Sequence, residues 1–246
     1  MATEDPSSLR DQTPARSDRL CESLSTRPTL EAAAEAALLL LSLRDLLEFD
    51  RLCALADLVC RLSPDDAKAR RLYAQGLIET GRLTAAVDML EAAKRRYGEG
   101  HAEYAEFEGL LGRAYKQLFM DTVDPQGIWA SSFIKGSFAE YGGAYARDPA
   151  KNFWHGVNLG ALAHVANLRG VALDGRSANE YTSELLAALQ TVAPEKRDQW
   201  WYATKAEAHA AQDGRRARRR SGTTSTIRER LHSCWRARCA NSAISG

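Results

Sequence analysis

Residues 67–100, AKARRLYAQGLIETGRLTAAVDMLEAAKRRYGEG, decide the fold. Counted from Ala67 over a 34-residue period, they place Tyr73 and Ala74 at positions 7 and 8, Leu77 at 11, Gly81 at 15, Ala86 at 20, Leu90 at 24 and Ala93 at 27. Small side chains at Ala74 and Ala86 let two antiparallel helices approach closely. The larger apolar residues at Tyr73, Leu77 and Leu90 fill the space between them, and Gly81 frees the backbone for a tight turn. The stretch therefore reads as one helical hairpin, a unit that must stack on neighbours to bury its apolar faces.

Outward from this hairpin the pattern weakens. One period earlier, the unit from Ala33 keeps Ala56, Val59 and Pro64 at positions 24, 27 and 32, behind a first helix rich in leucine. One period later, Leu111, Gly112 and Tyr115 repeat the pattern, but Asp121 to Gly127 intrude before a second helix that ends Tyr141, Ala144, Pro149. Another unit opens at Phe153-Trp154-His155-Gly156-Val157-Asn158 and closes, past a loop from Gly170 to Ser177, with a helix from Ala178 to Val192. Arg197 to Ala211 reads as a first helix without a mate. The breakers between these segments leave helices of about 12 to 20 residues, and strand signals are nearly absent. The spacing resembles the tetratricopeptide consensus, so the expected fold class is all-α: a tetratricopeptide-like α-solenoid of antiparallel helical hairpins.

Composition sets the frame around that reading. With 45% hydrophobic and 26% charged residues in 246, the chain has the make-up of a soluble globular protein. The longest apolar run, Ala32 to Leu43, is interrupted by Glu35 and Ser42 and falls short of the roughly 20 residues a membrane span needs. The start, Met-Ala-Thr-Glu-Asp-Pro, lacks a basic then apolar secretory signal, which leaves a cytoplasmic address as the expectation. Five scattered cysteines argue for free thiols; Cys53 and Cys60, seven residues apart, share a helix face as small buried hydrophobes.

Three segments are expected. Residues 1–27, rich in Ser, Thr, Asp, Arg and Pro, read as a flexible leader. Residues 28–213 form the helical domain. Residues 214–246 carry nine arginines against one carboxylate, Glu229, while the preceding residues hold 24 basic and 31 acidic side chains. This basic tail reads as disordered, or as the product of a shifted reading frame near Ala211, where the repeat grammar stops and an array would need a capping helix. An arm that binds nucleic acid through phosphate contacts is the alternative function, though a charge run alone is weak support and nucleic acid is not the favoured partner. His232, Cys234 and Cys239 lack the second pair that a structural zinc site requires.

Two stretches go further than a generic repeat: Leu110-Leu-Gly-Arg-Ala-Tyr-Lys-Gln117, and Tyr145-Ala-Arg-Asp-Pro-Ala-Lys-Asn-Phe-Trp-His-Gly-Val-Asn-Leu159. They resemble the TRAFs-binding domain, the helical-repeat region of apoptosis signal-regulating kinases and of bacterial tetratricopeptide proteins. The resemblance spans about Thr29 to Ala211, with Val157 standing where isoleucine is usual. It implies a non-enzymatic regulatory scaffold, and the Ala- and Arg-rich composition suits a bacterial member. No kinase, protease or other effector domain accompanies it here, so the regulated activity is expected to lie elsewhere.

Motifs with firm catalytic mechanics are missing: there is no phosphate-binding Gly-rich loop with Lys-Ser/Thr, no Gly-x-Ser-x-Gly elbow and no His-Glu-x-x-His. No enzyme activity, no catalytic residue, no metal and no cofactor are expected. His155 and His164 fall on opposite sides of one helix and cannot share a ligand. Glu103, Glu108 and Asp121 read as carboxylates on solvated helix faces, and Trp154, Trp200 and Trp201 as packing residues. What a repeat array offers is a groove lined by the first helix of each unit. At its lining positions stand Lys68, Arg71 and Gln75, then Arg113 and Lys116, then Lys151, Trp154 and Asn158. The expected partner is a protein, either an acidic peptide segment or an effector, with Lys and Arg pairing carboxylates and Gln75 and Asn158 bonding backbone.

Overall fold

The computed structural model describes residues 6–124, 127–173 and 176–221, with side chains from Gln12 to Ala210 within those spans. Among the described residues there are ten α-helices, one short 3-10 turn and no strand. The chain divides into two compact units, the first closing at Glu103 and the second opening at Tyr104.

The first unit holds α1 (Pro6–Thr26), α2 (Leu30–Asp45), α3 (Phe49–Leu62), α4 (Ala67–Glu79) and α5 (Leu83–Tyr97). Helix starts are set locally. The Thr29 hydroxyl accepts from the Ala32 N–H at 3.1 Å, and the Asp66 carboxylate accepts from the Ala69 N–H at 2.9 Å. Each satisfies a donor that the first turn of a helix leaves open. Replacing Asp66 with alanine is expected to cost about 1 kcal/mol, read as a lowered midpoint of urea unfolding.

The hairpin of α4 and α5 follows the reading of residues 67–100. Ala74, Ala86 and Leu90 are fully buried, Leu77 nearly so, and Gly81 turns the chain at φ +77°. α3 comes equally close to α4, because a Cβ on Gly76 would sit 2.7 Å from the Cys53 sulfur. Cys53 and Cys60 are buried as expected, and burial pushes the Cys60 thiol up to about 12, which keeps it protonated and unreactive.

The leader is a correction. Instead of a flexible segment, Pro6–Thr26 is a helix, packed on α2 and α3. Leu20 and Leu24 join the core of Leu40, Leu43, Leu52, Leu55 and Val59. Buried Ser17 donates to the Pro14 carbonyl at 2.8 Å, and Arg16 reaches Glu35 at 2.7 Å. Its described apolar contacts come from Leu20, Cys21 and Leu24, and Pro14 lies within it, so the helix draws its stability from what it covers, not from its own periodicity.

The second unit holds α6 (Tyr104–Asp121), α7 (Ile128–Arg147), α8 (Phe153–Leu168), α9 (Ala178–Thr191), a 3-10 turn (Pro194–Lys196) and α10 (Gln199–Ser221). α6 pairs with α7 and α8 with α9, and α10 lies on α8 and α9. The capping box of Ser177 and Glu180 starts α9. Among the described side chains of α10, Trp201, Thr204 and Ala208 are buried, and the Trp201 indole donates to the Leu189 carbonyl at 2.9 Å.

The last helix also differs from expectation. It begins at Gln199 and continues to Ser221, so residues 214–221 of the presumed tail are helical. Residues 222–246, with His232, Cys234 and Cys239, lie outside the described residues. No described helix is long and apolar enough to cross a membrane.

Candidate partner-binding face

The second unit brings its most informative residues together where α8 crosses α6. Glycine makes the approach possible. A Cβ on Gly109 would lie 2.6 Å from the Trp154 ring and 2.8 Å from His155 Nε2, and one on Gly112 would press on the Tyr141 ring at 3.1 Å. Trp154 meets Tyr141 edge-on at 5.8 Å and His155 at 4.0 Å between ring centroids. These contacts pack the three rings against one another and against the bare backbone of α6 at Gly109 and Gly112.

Polar bonds tie α7 to α6 on one side and to the start of α8 on the other. The Ser137 hydroxyl donates to the Gly112 carbonyl at 2.7 Å, and the buried Asn152 amide donates to the Ala144 carbonyl at 2.7 Å. Fully buried His155 holds the Ala105 carbonyl with Nε2 at 3.2 Å. A carbonyl only accepts, so Nε2 carries the hydrogen and Nδ1 is bare. Burial is the main reason its pKa falls to about 4, with Arg147 adding to the effect.

Glu108 corrects the sequence reading most sharply. It is no solvated helix-face carboxylate; it is 4% exposed and engages Arg147 through both oxygens, one bond measuring 3.0 Å. The guanidinium lies 5.2 Å from the Tyr104 ring centre. This ties the end of α7 to the first turns of α6 in a bidentate pair. Asp121, by contrast, does stay on the surface, accepting from Gln117 at 2.8 Å.

Of the expected lining residues in this unit, Lys116 and Asn158 are joined. The ammonium donates to Asn158 Oδ1 at 2.8 Å while the Asn158 amide donates to the Trp154 carbonyl at 2.8 Å. Lys116 also stands 5.7 Å from the Tyr141 ring centre. Both ends of the Asn158 amide are thus engaged within the protein, and its work is to hold Lys116. Arg113 is half-buried one turn before Lys116, Trp154 is half-buried against Gly109, and Lys151 is exposed in the turn ahead of α8.

In the first unit, Lys68 is exposed on α4, Arg71 pairs with Glu103 at 2.6 Å, and Gln75 is only 5% exposed. Glu103 is therefore another carboxylate that the sequence left on a solvated face and the structure gives a partner. Arg71 and Gln75 each spend most of their surface inside that unit.

Residues 48–163 match the family described as Tetratricopeptide Repeats-Sensor. Among solved structures, a thermophilic TPR protein from Thermus thermophilus superposes with a TM-score of 0.52 at 18% identity, covering 82% of this chain and 97% of that one. The chain has the tetratricopeptide-repeat fold. Nothing among the curated proteins matches it. The tetratricopeptide match runs from the start of α3 into α8 and includes all eight positions expected from the sequence to line a groove, from Lys68 to Asn158. It also takes in the Glu108–Arg147 pair and His155, which the consensus positions alone did not single out.

Proposed function

We propose that the chain is a non-catalytic scaffold or regulator that holds an acidic segment of a partner protein on the first helices of its tetratricopeptide hairpins. The observation that carries this reading is the fixed Lys116 ammonium. Asn158 and the Tyr141 ring set where it stands, and an ammonium so placed bonds a carboxylate more strongly than it bonds a neutral amide. Arg113 follows the same face of α6, and Lys151 and Trp154 stand at the start of α8. A carboxylate-bearing segment gains charge-assisted bonds there without ordering long flexible side chains, which lowers the entropic cost of capture. On α4, in the first unit, only Lys68 of the expected lining stands exposed, while Arg71 is held by Glu103 and Gln75 is buried. The resemblance to the TRAFs-binding domain and the match to the Tetratricopeptide Repeats-Sensor family both favour a regulatory role.

The test is binding of a fluorescein-labelled Glu/Asp-rich peptide to the purified chain. Replacing Arg113 and Lys116 together by glutamate is expected to weaken binding at least tenfold, since each charge-assisted bond contributes about 1.5–3 kcal/mol. Helicity by circular dichroism should stay as it was. Equal affinity of the double variant and the natural chain would end the proposal.

A further inference from the structure

Between α1, the α2–α3 turn and the start of α3, the first unit holds an open pocket of about 580 Å³. Cys21, Leu47, Phe49 and Ala54 supply its apolar lining, and Leu47 is 46% exposed. The rest of its rim is charged, with three carboxylates, Asp18, Glu48 and Asp50, against one guanidinium, Arg51. Arg51 bridges Asp18 at 3.0 Å and Glu48 at 2.7 Å, so the rim stays negative even with its own cation in place.

Leu47 marks this pocket independently of its charge. At φ +60° it is, among the described residues, the one non-glycine with a left-handed backbone, at the turn position that Gly81 occupies one period later at φ +77°. Glycine takes that conformation without strain, whereas a side chain with a Cβ does not. The first hairpin thus keeps an exposed leucine where the repeat's own solution is glycine. Strain retained at a pocket's edge points to a use for the side chain that causes it.

We propose that this pocket docks a basic polypeptide segment bearing one bulky apolar side chain, which enters beside Leu47 and Phe49 while flanking Arg or Lys residues meet the acidic rim. The carboxylates come from α1, the turn and α3, so they suit cations spaced along a chain better than a single small cation. The site is separate from the acidic-segment face proposed above, and opposite to it in charge.

The experiment is fluorescence anisotropy of the full chain with an end-blocked, labelled peptide, Lys-Arg-Leu-Trp-Arg-Lys. Saturable binding that weakens as salt rises is expected. Asp50→Lys should lower affinity about tenfold, and Leu47→Gly several-fold, with the thermal unfolding midpoint held or raised in Leu47→Gly, where glycine relieves the left-handed backbone, and lowered only slightly in Asp50→Lys, in the first turn of α3. Neither variant removes the Arg51 ion pairs. Lys116→Glu should leave this binding intact, which separates the pocket from the other face. A peptide with alanine in place of Leu and Trp should bind much more weakly. Absence of saturable binding up to about 1 mM, equal affinity of both pocket variants with the natural chain, or equal binding of the alanine peptide would each overturn the proposal.

Discussion

Valine at Gly109 is expected to destabilise the second unit by more than about 3 kcal/mol, and alanine there by about 2 kcal/mol. The first added carbon already lies 2.6 Å from the Trp154 ring and 2.8 Å from His155 Nε2. Neither neighbour is the loose end of a flexible chain. Trp154 is wedged between Tyr141 and His155, and His155 is held by the Ala105 carbonyl, so relief requires α8 to move off α6. Close-packed interiors resist that movement. Gly142→Ala is the matched control. Its nearest neighbour would be Leu159 at 3.9 Å, an ordinary contact, and alanine gains up to about 1 kcal/mol of helix propensity. Urea unfolding of the three variants should therefore split, with Gly142→Ala at or above the natural midpoint and both Gly109 variants well below it.

Acid is expected to weaken the same crossing. His155 titrates at about 4 in the folded chain, chiefly because it is buried, against about 6.5 when unfolded. Above about pH 6.5 both states are neutral and the stability is fully present. Between about 6.5 and 4 the unfolded chain takes up a proton that the folded chain refuses, so stability falls with falling pH. The separation corresponds to about 3 kcal/mol, a large share of a typical domain's 5–15 kcal/mol. Denaturant midpoints measured from pH 7 to pH 4 should drop accordingly. His155→Gln, which cannot titrate, should start less stable at pH 7 and decline less steeply. A decline as steep as that of the natural chain would assign the acid sensitivity to other groups.

The fold was legible where apolar spacing and small residues agree. Tyr73, Ala74, Leu77, Gly81, Ala86 and Leu90 state a hairpin in one period, and Leu111, Gly112 and Tyr115 restate its first half. α1 was not legible, because Leu20 and Leu24 acquire meaning only once the leucines of α2 and α3 stand opposite them. The candidate face was legible by position but not by role. Consensus counting finds Lys116 and Asn158, yet nothing in their spacing says that one holds the other. Glu108 was misplaced for a related reason. A carboxylate in a helix looks solvated until its cation, Arg147, is brought beside it from 39 positions away. The signal that could have found it is the glycine content around it: Gly109 and Gly112, the latter one turn along the same face as Glu108, mark that side of α6 as closely covered, and a charge beside such a surface needs a partner.

Those separations also bear on how quickly the second unit assembles. The bonds that fasten α6 to its neighbours span 25 positions at Ser137, 39 at Arg147, 42 at Lys116 and 50 at His155. Each closes a loop of about three-quarters of a repeat to one and a half repeats, and closure entropy grows only slowly over that range. Chains whose contacts are this local fold on the microsecond-to-millisecond scale. Stopped-flow refolding should accordingly finish within the instrument's first tens of milliseconds, with Gly109→Ala slowing it only if α8 has already settled on α6 in the transition state.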